Sequence, residues 1–113
     1  MNEAATHVMD KIEAQKILSE QVERFSSRDY TELQRFVESK HVEDFEVHGA
    51  SGTRYGVEVQ FFWDDKHKGR VRVVGSIDDG GLRAFVPLTE TVLVSNPAIT
   101  APVAIERPRG PGR

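Results

Sequence analysis

Tyr55, Val57, Val59, Phe61 and Trp63 occupy every second position of one run, and Val71, Val73, Gly75 and Ile77 repeat that spacing after a short break. A period of two puts each set on one side of a β-strand. Lys66, His67, Lys68 and Gly69 supply the reversal between the runs. The chain is thus committed to an antiparallel sheet with one dry face, and other parts of the same chain must cover that face.

The cover lies upstream. From about Val8 to Ser26, Ala14, Ile17, Leu18, Val22 and Phe25 recur at spacings of three and four, which predicts a helix with one apolar stripe. Glu13, Lys16, Glu20, Glu23 and Arg24 fall on its other face. Glu20 and Arg24 stand four apart in the favourable order for a surface ion pair. A second helix, about Tyr30 to Ser39, carries Leu33, Phe36 and Val37 inward. Asp29 is placed to cap it with Glu32 completing a capping box, and Lys40 and His41 put positive charge at its end. Phe45 and Val47 then alternate with Glu46 and His48, so a first strand precedes the turn cluster from Gly49 to Gly52.

Asp79-Gly80 is a strong two-residue hairpin signal. Centring the turn there pairs Ile77 with Leu82, Gly75 with Ala84, Val73 with Val86 and Val71 with Leu88, so inward residues meet inward residues throughout. The small residue Gly75 marks the place where the first helix approaches the sheet most closely, with Val22 or Phe25 above it. Thr91 to Val94 forms a further short strand. The opposite, outer face then holds Phe62, Arg72, Val74, Arg83 and Phe85, with Val74 and Phe85 as cross-strand partners. Such apolar groups call for a cover: the C-terminal tail, the stems of the arginines, or a partner protein. A partner protein is the expected cover.

Two acidic pairs, Asp64-Asp65 and Asp78-Asp79, invite a carboxylate or metal site. About seven strand residues, roughly 20 Å, lie between them, too far for one ion or for paired-carboxylate catalysis. Asp78-Asp79-Gly80-Gly81 is better read as turn chemistry, and Asp64-Asp65 as a charged strand end. Asp64, Asp65 and His67 are the weak metal candidates. His7, His41, His48 and His67 show no ligand spacing. There is no phosphate loop, no nucleophile elbow and no motif for a cofactor.

The bulk properties narrow the function classes. The net charge of −3 argues against a nucleic-acid partner, and the lack of cysteine excludes disulfides and thiolate metal sites. The N-terminus shows no apolar signal core and no window approaches a membrane span, so a cytoplasmic protein with no membrane partner is expected. After Ser95 the composition turns to proline, glycine and arginine. Residues 1–95 are read as one domain, and 96–113 as a largely extended tail that docks, if at all, around Val103 to Ile105.

The segment YGVEVQFFWDDKHKGRVRVVGSIDDGGLRAFVPLTET resembles a group of small bacterial proteins of unknown function, which share a Y-x-V-E-x-Q-x-F-W-D-D element, then V-R-V-x-G-S-I-D-D-G-G, then A-F-x-P-L-T. The likeness runs from about Arg54 to Thr91 and extends to the helical lead-in SEQVERFSSRDYTEL. It implies no particular activity.

The expected fold is α+β, an N-terminal helical pair on one face of a four- or five-stranded antiparallel meander. The expected function is a non-catalytic interaction or accessory module, a homodimer or an adaptor or inhibitor. It works through Phe62, Arg72, Val74, Arg83 and Phe85. The alternative is a cation-binding protein or enzyme built on Asp64, Asp65 and His67.

Overall fold

The computed structural model describes residues 11–80 and 88–98. Two helices, α1 (Lys11–Ser26) and α2 (Tyr30–Glu38), precede four strands, β1 (Val42–His48), β2 (Arg54–Trp63), β3 (Val71–Asp78) and β4 (Leu88–Val94). The strands form one open antiparallel sheet in the order β1-β2-β3-β4. Both helices pack on the same face, α1 over β3 and β4 and α2 over β2 and β3. This is the α+β arrangement that the two periodicities require.

The core is the meeting of the helical stripe with the period-2 rows. Ala14, Leu18, Val22 and Phe25 of α1 and Leu33 of α2 are buried against Tyr55, Val57, Val59, Phe61, Val71, Val73 and Ile77. Gly75 sits where α1 crosses β3. A Cβ built on it would lie 2.5 Å from Val22 Cγ2 and 3.1 Å from Leu18 Cδ1, so only glycine permits this approach.

The tight hairpin register does not hold. The strand beside β3 is Leu88–Val94, with Ile77 opposite Leu88, Gly75 opposite Glu90, Val73 opposite Val92 and Val71 opposite Val94. Asp79-Gly80 instead begins a longer connection. Gly80 has φ +81°, and its N–H donates to Asp78 Oδ1 at 2.8 Å. That aspartate-built turn bends the chain without closing a two-residue loop. The cross-strand partner of Val74 is therefore Thr91 and not Phe85. Leu82, Ala84, Val86, Arg83 and Phe85 lie outside the described residues.

In the inner row of β4 the carboxylate of Glu90 interrupts the apolar alternation of Leu88, Val92 and Val94. Its Oε1 accepts the Ser19 hydroxyl at 2.6 Å and the Gln15 amide at 3.1 Å, so α1 itself supplies the donors that make an inward glutamate tolerable.

The helix ends also differ from expectation. Asp29 occupies the N-cap position, but its side chain makes no capping bond. The Glu32 carboxylate turns to Arg28 at 2.7 Å, a charge-assisted contact that competes with the capping box. At the other end Lys40 takes φ +57°, the Lys40 N–H donates to Val37 O and the His41 N–H to Phe36 O. This is a Schellman termination with lysine in the left-handed position. Its hydrophobic closure is the His41 ring stacked on Phe36, centroids 4.4 Å apart. Arg24 bonds to Gln21 at 2.7 Å and lies over Phe25, so its guanidinium is engaged away from Glu20.

Candidate functional site

The β-ladder register defines the outer face row by row. Phe62, Arg72 and Leu93 stand side by side across β2, β3 and β4. Val42, Gln60, Val74 and Thr91 form the next row, followed by Asp44, Glu58, Ser76 and Thr89, and then Glu46, Gly56 and Asp78. The face is therefore divided along the strands. The half near the β2–β3 turn holds Val42, Phe62, Val74 and Leu93 beside Arg72, Gln60 and Thr91, and the other half carries four carboxylates, bounded by the last pair, His48 and Arg54.

In the apolar half, Val42, Phe62 and Leu93 are 43%, 40% and 44% exposed, and Ile12 is the other large apolar side chain this open to solvent among the described residues. Arg72 lies over the Phe62 ring, 5.3 Å from its centroid, and so covers part of it. The Arg72 Nε is 3.9 Å from Asp64 Oδ1 and has no hydrogen-bond partner among the described residues. Arginine shielding is real but incomplete, because Phe62 remains exposed beneath it.

In the acidic half, Asp44 is directly opposite Glu58. Like charges at opposed positions destabilise a strand pair. Among the described residues Asp44, Glu46, Glu58 and Asp78 take part in no ion pair, and the basic residue nearest them along the face is Arg54, in the row next to Glu46 and Gly56.

The structure brings Phe62, Arg72 and Val74 together as expected and adds Val42 and Leu93. Sequence reasoning missed these two because the hairpin register put Leu82 to Leu88 beside β3, leaving Thr91 to Val94 as a separate further strand, and began the first strand at Phe45. The signal for Val42 was available, since it continues the alternation of Asp44 and Glu46 by one step.

The metal candidates are not gathered. Asp64 and Asp65 face Arg70, at 2.9 and 3.8 Å from its Nη2. His67 turns elsewhere, its Nε2 3.7 Å from Glu38 Oε2 and its ring edge-on to Trp63. Among the described residues no three metal-ligating side chains come together. The charges at this turn are thus compensated by Arg70 and Arg72 across the hairpin end, rather than by the neighbouring lysines. Asp78 lies at the far end of β3, which keeps the two acidic pairs apart.

A shallow groove of about 530 Å³ runs along α2, lined by Glu32, Arg35, Phe36, Glu38, Ser39 and His41. His41 Nε2 and Glu43 Oε2 are 2.6 Å apart there, but the ring is committed to stacking on Phe36 as part of the helix termination. The hydroxyl that lines this groove, that of Ser39, donates to Arg35 O at 2.9 Å.

Two polar anchors hold loops to the helical layer. Glu13 accepts from the Ser51 hydroxyl at 2.7 Å, the Tyr55 hydroxyl at 2.8 Å and the Ser51 N–H at 3.0 Å. These bonds, led by that of the Ser51 side chain, hold its carboxyl below the usual range. The Tyr30 hydroxyl donates to Gly69 O at 2.7 Å, and burial pushes that phenol up. Both fix loop geometry and neither faces a cleft.

No family model, no curated protein and no solved structure matches the chain. Among the described residues no helix is long and apolar enough to cross a membrane.

Proposed function

We propose that this chain is a non-catalytic interaction module whose outer sheet face receives a protein segment that is apolar at one end and basic at the other. One observation carries the reading: Phe62 and Leu93 are exposed on either side of Arg72 in one row of the face, with exposed Val42 and half-buried Val74 in the next row. Contiguous exposed apolar surface on a small domain marks a contact site more often than chance burial failure. The four carboxylates that continue the face set the charge of the occupant and disfavour acidic competitors. The cysteine-free sequence suits a reducing, cytoplasmic setting, which is part of the proposal.

Selection from a display library of random dodecapeptides, with the full chain as bait, tests this. Enriched peptides should carry alternate apolar residues followed by Lys or Arg. Leu93→Glu should weaken them by at least about tenfold, as the loss of a central apolar contact does, while leaving the thermal melt close to the parent's. Enrichment without a charge preference, or binding indifferent to Leu93→Glu, would refute the reading. A homodimer in sedimentation that Leu93→Glu dissociates would replace it with self-association.

A further inference from the structure

We infer that the first occupant of this face is the chain's own C-terminal segment, residues 99–113, bound in cis so that an outside partner must displace it. The inference rests on the proposed use of the face and names what covers it.

Three observations converge. The first is where the described chain ends. β4 runs toward the Phe62–Arg72–Leu93 row, and Asn96 Nδ2 then donates to Lys68 O in the β2–β3 turn at 3.0 Å. The chain is thus anchored at the β2–β3 end of the sheet, beside Tyr30 on the helical side, from where it must round the sheet end to reach the apolar rows. Five residues lead from Ala98 to Val103, a span of up to about 16 Å, enough to round the sheet end.

The second is spacing. Val103, Ile105, Arg107 and Arg109 fall on alternate positions, so an extended segment presents all four on one side and turns Glu106 away. The rows of the face advance two residues at a time along the strands. Laid from the apolar end, Val103 meets the Phe62–Leu93 row and Ile105 the Val42–Val74 row. Arg107 then meets Asp44 and Glu58, and Arg109 meets Glu46 and Asp78. The order apolar, apolar, basic, basic matches the order of the face.

The third is conformational. Pro102 and Pro108 bias Ala101 and Arg107 toward extended backbone. A segment lying across a sheet face, and not hydrogen-bonded at its edge, loses nothing through their missing N–H groups.

The sequence has no cysteine, which makes a cross-linking test clean. In the full chain, Thr91→Cys with Ile105→Cys should form an intramolecular disulfide at least about tenfold faster than Glu20→Cys with Ile105→Cys, whose first cysteine lies on the exposed side of α1. Adding Arg107→Glu and Arg109→Glu should bring the fast rate down to the control. Those two changes, made without cysteines, should also raise the affinity of the display-selected peptides. Equal rates for the two cysteine pairs would overturn the inference. So would disulfide-linked dimers forming ahead of the intramolecular bond, since the occupant would then be a second copy's segment. Neither result touches the proposed function, which fails separately if peptide binding ignores Leu93→Glu.

Discussion

Replacing Gly75 with alanine is the sharpest test of how α1 sits on the sheet. The new methyl would lie 2.5 Å from Val22 Cγ2, more than 1 Å inside ordinary contact, and 3.1 Å from Leu18 Cδ1. Val22 cannot swing aside, because a β-branched side chain in a helix has one strongly preferred rotamer. The helix must lift, which loosens Leu18, Val22 and Phe25 together. Overpacking of this kind costs about 1–3 kcal/mol. Removing a strand glycine returns about 0.5–1 kcal/mol by restricting the unfolded chain. The net expectation is a loss centred near about 1 kcal/mol and no larger than about 2.5 kcal/mol, the central value lowering the melting temperature by roughly 4–8 °C. Gly75→Val should fall at or above the upper end. Urea titration followed by circular dichroism and by the single tryptophan, Trp63, reads the change. Val22→Ala removes the obstructing methyl at a cost of its own, about 2 kcal/mol. The double variant should then cost less than the sum of the singles by about 1 kcal/mol. A Gly75→Ala protein as stable as the parent, or strictly additive behaviour, would show that the close approach is not what glycine serves.

Two further outcomes concern the polar joints of the fold. Lys40→Gly should stabilise the chain by about 0.5–1 kcal/mol, because the φ of +57° strains a residue with a Cβ, and an unchanged or lower urea midpoint would contradict the Schellman assignment. Glu13→Gln should destabilise at neutral pH, since the folded carboxyl is held below its usual range by the bonds from Ser51 and Tyr55. A depressed carboxyl contributes its stability above its unfolded pKa and loses it as pH falls through the folded value. The gap between parent and variant should therefore close on acidification below about pH 4, and a gap as wide in acid as at neutrality would refute the linkage.

How far the sequence could be read depended on the range of each signal. The rows Tyr55 to Trp63 and Val71 to Ile77 point inward as their spacing says, because side-chain alternation belongs to the strand itself. The stripe of α1 and the crossing at Gly75 were equally legible, the first from helical period and the second from the lack of a side chain between large neighbours. Of the outer-face residues, Phe62, Arg72 and Val74 were placed by parity alone. Leu93 was not, because its place on the face depends on which residues β3 pairs with.

What the sequence determined by itself is therefore the parity of each element: which residues face the core, that two helices must cover one sheet face, and that the acidic pairs stand at opposite ends of β3. The tertiary structure alone decided the register of β4, the tolerance of an inward Glu90 beneath Ser19 and Gln15, and the engagement of Asp64 by Arg70. It also sorted the outer face into an apolar and an acidic half. The reason is physical. Period and parity are set by bond geometry within a few residues, whereas an aspartate-glycine turn says only that the chain bends, and pairing is chosen by what the whole core can bury and bond at once.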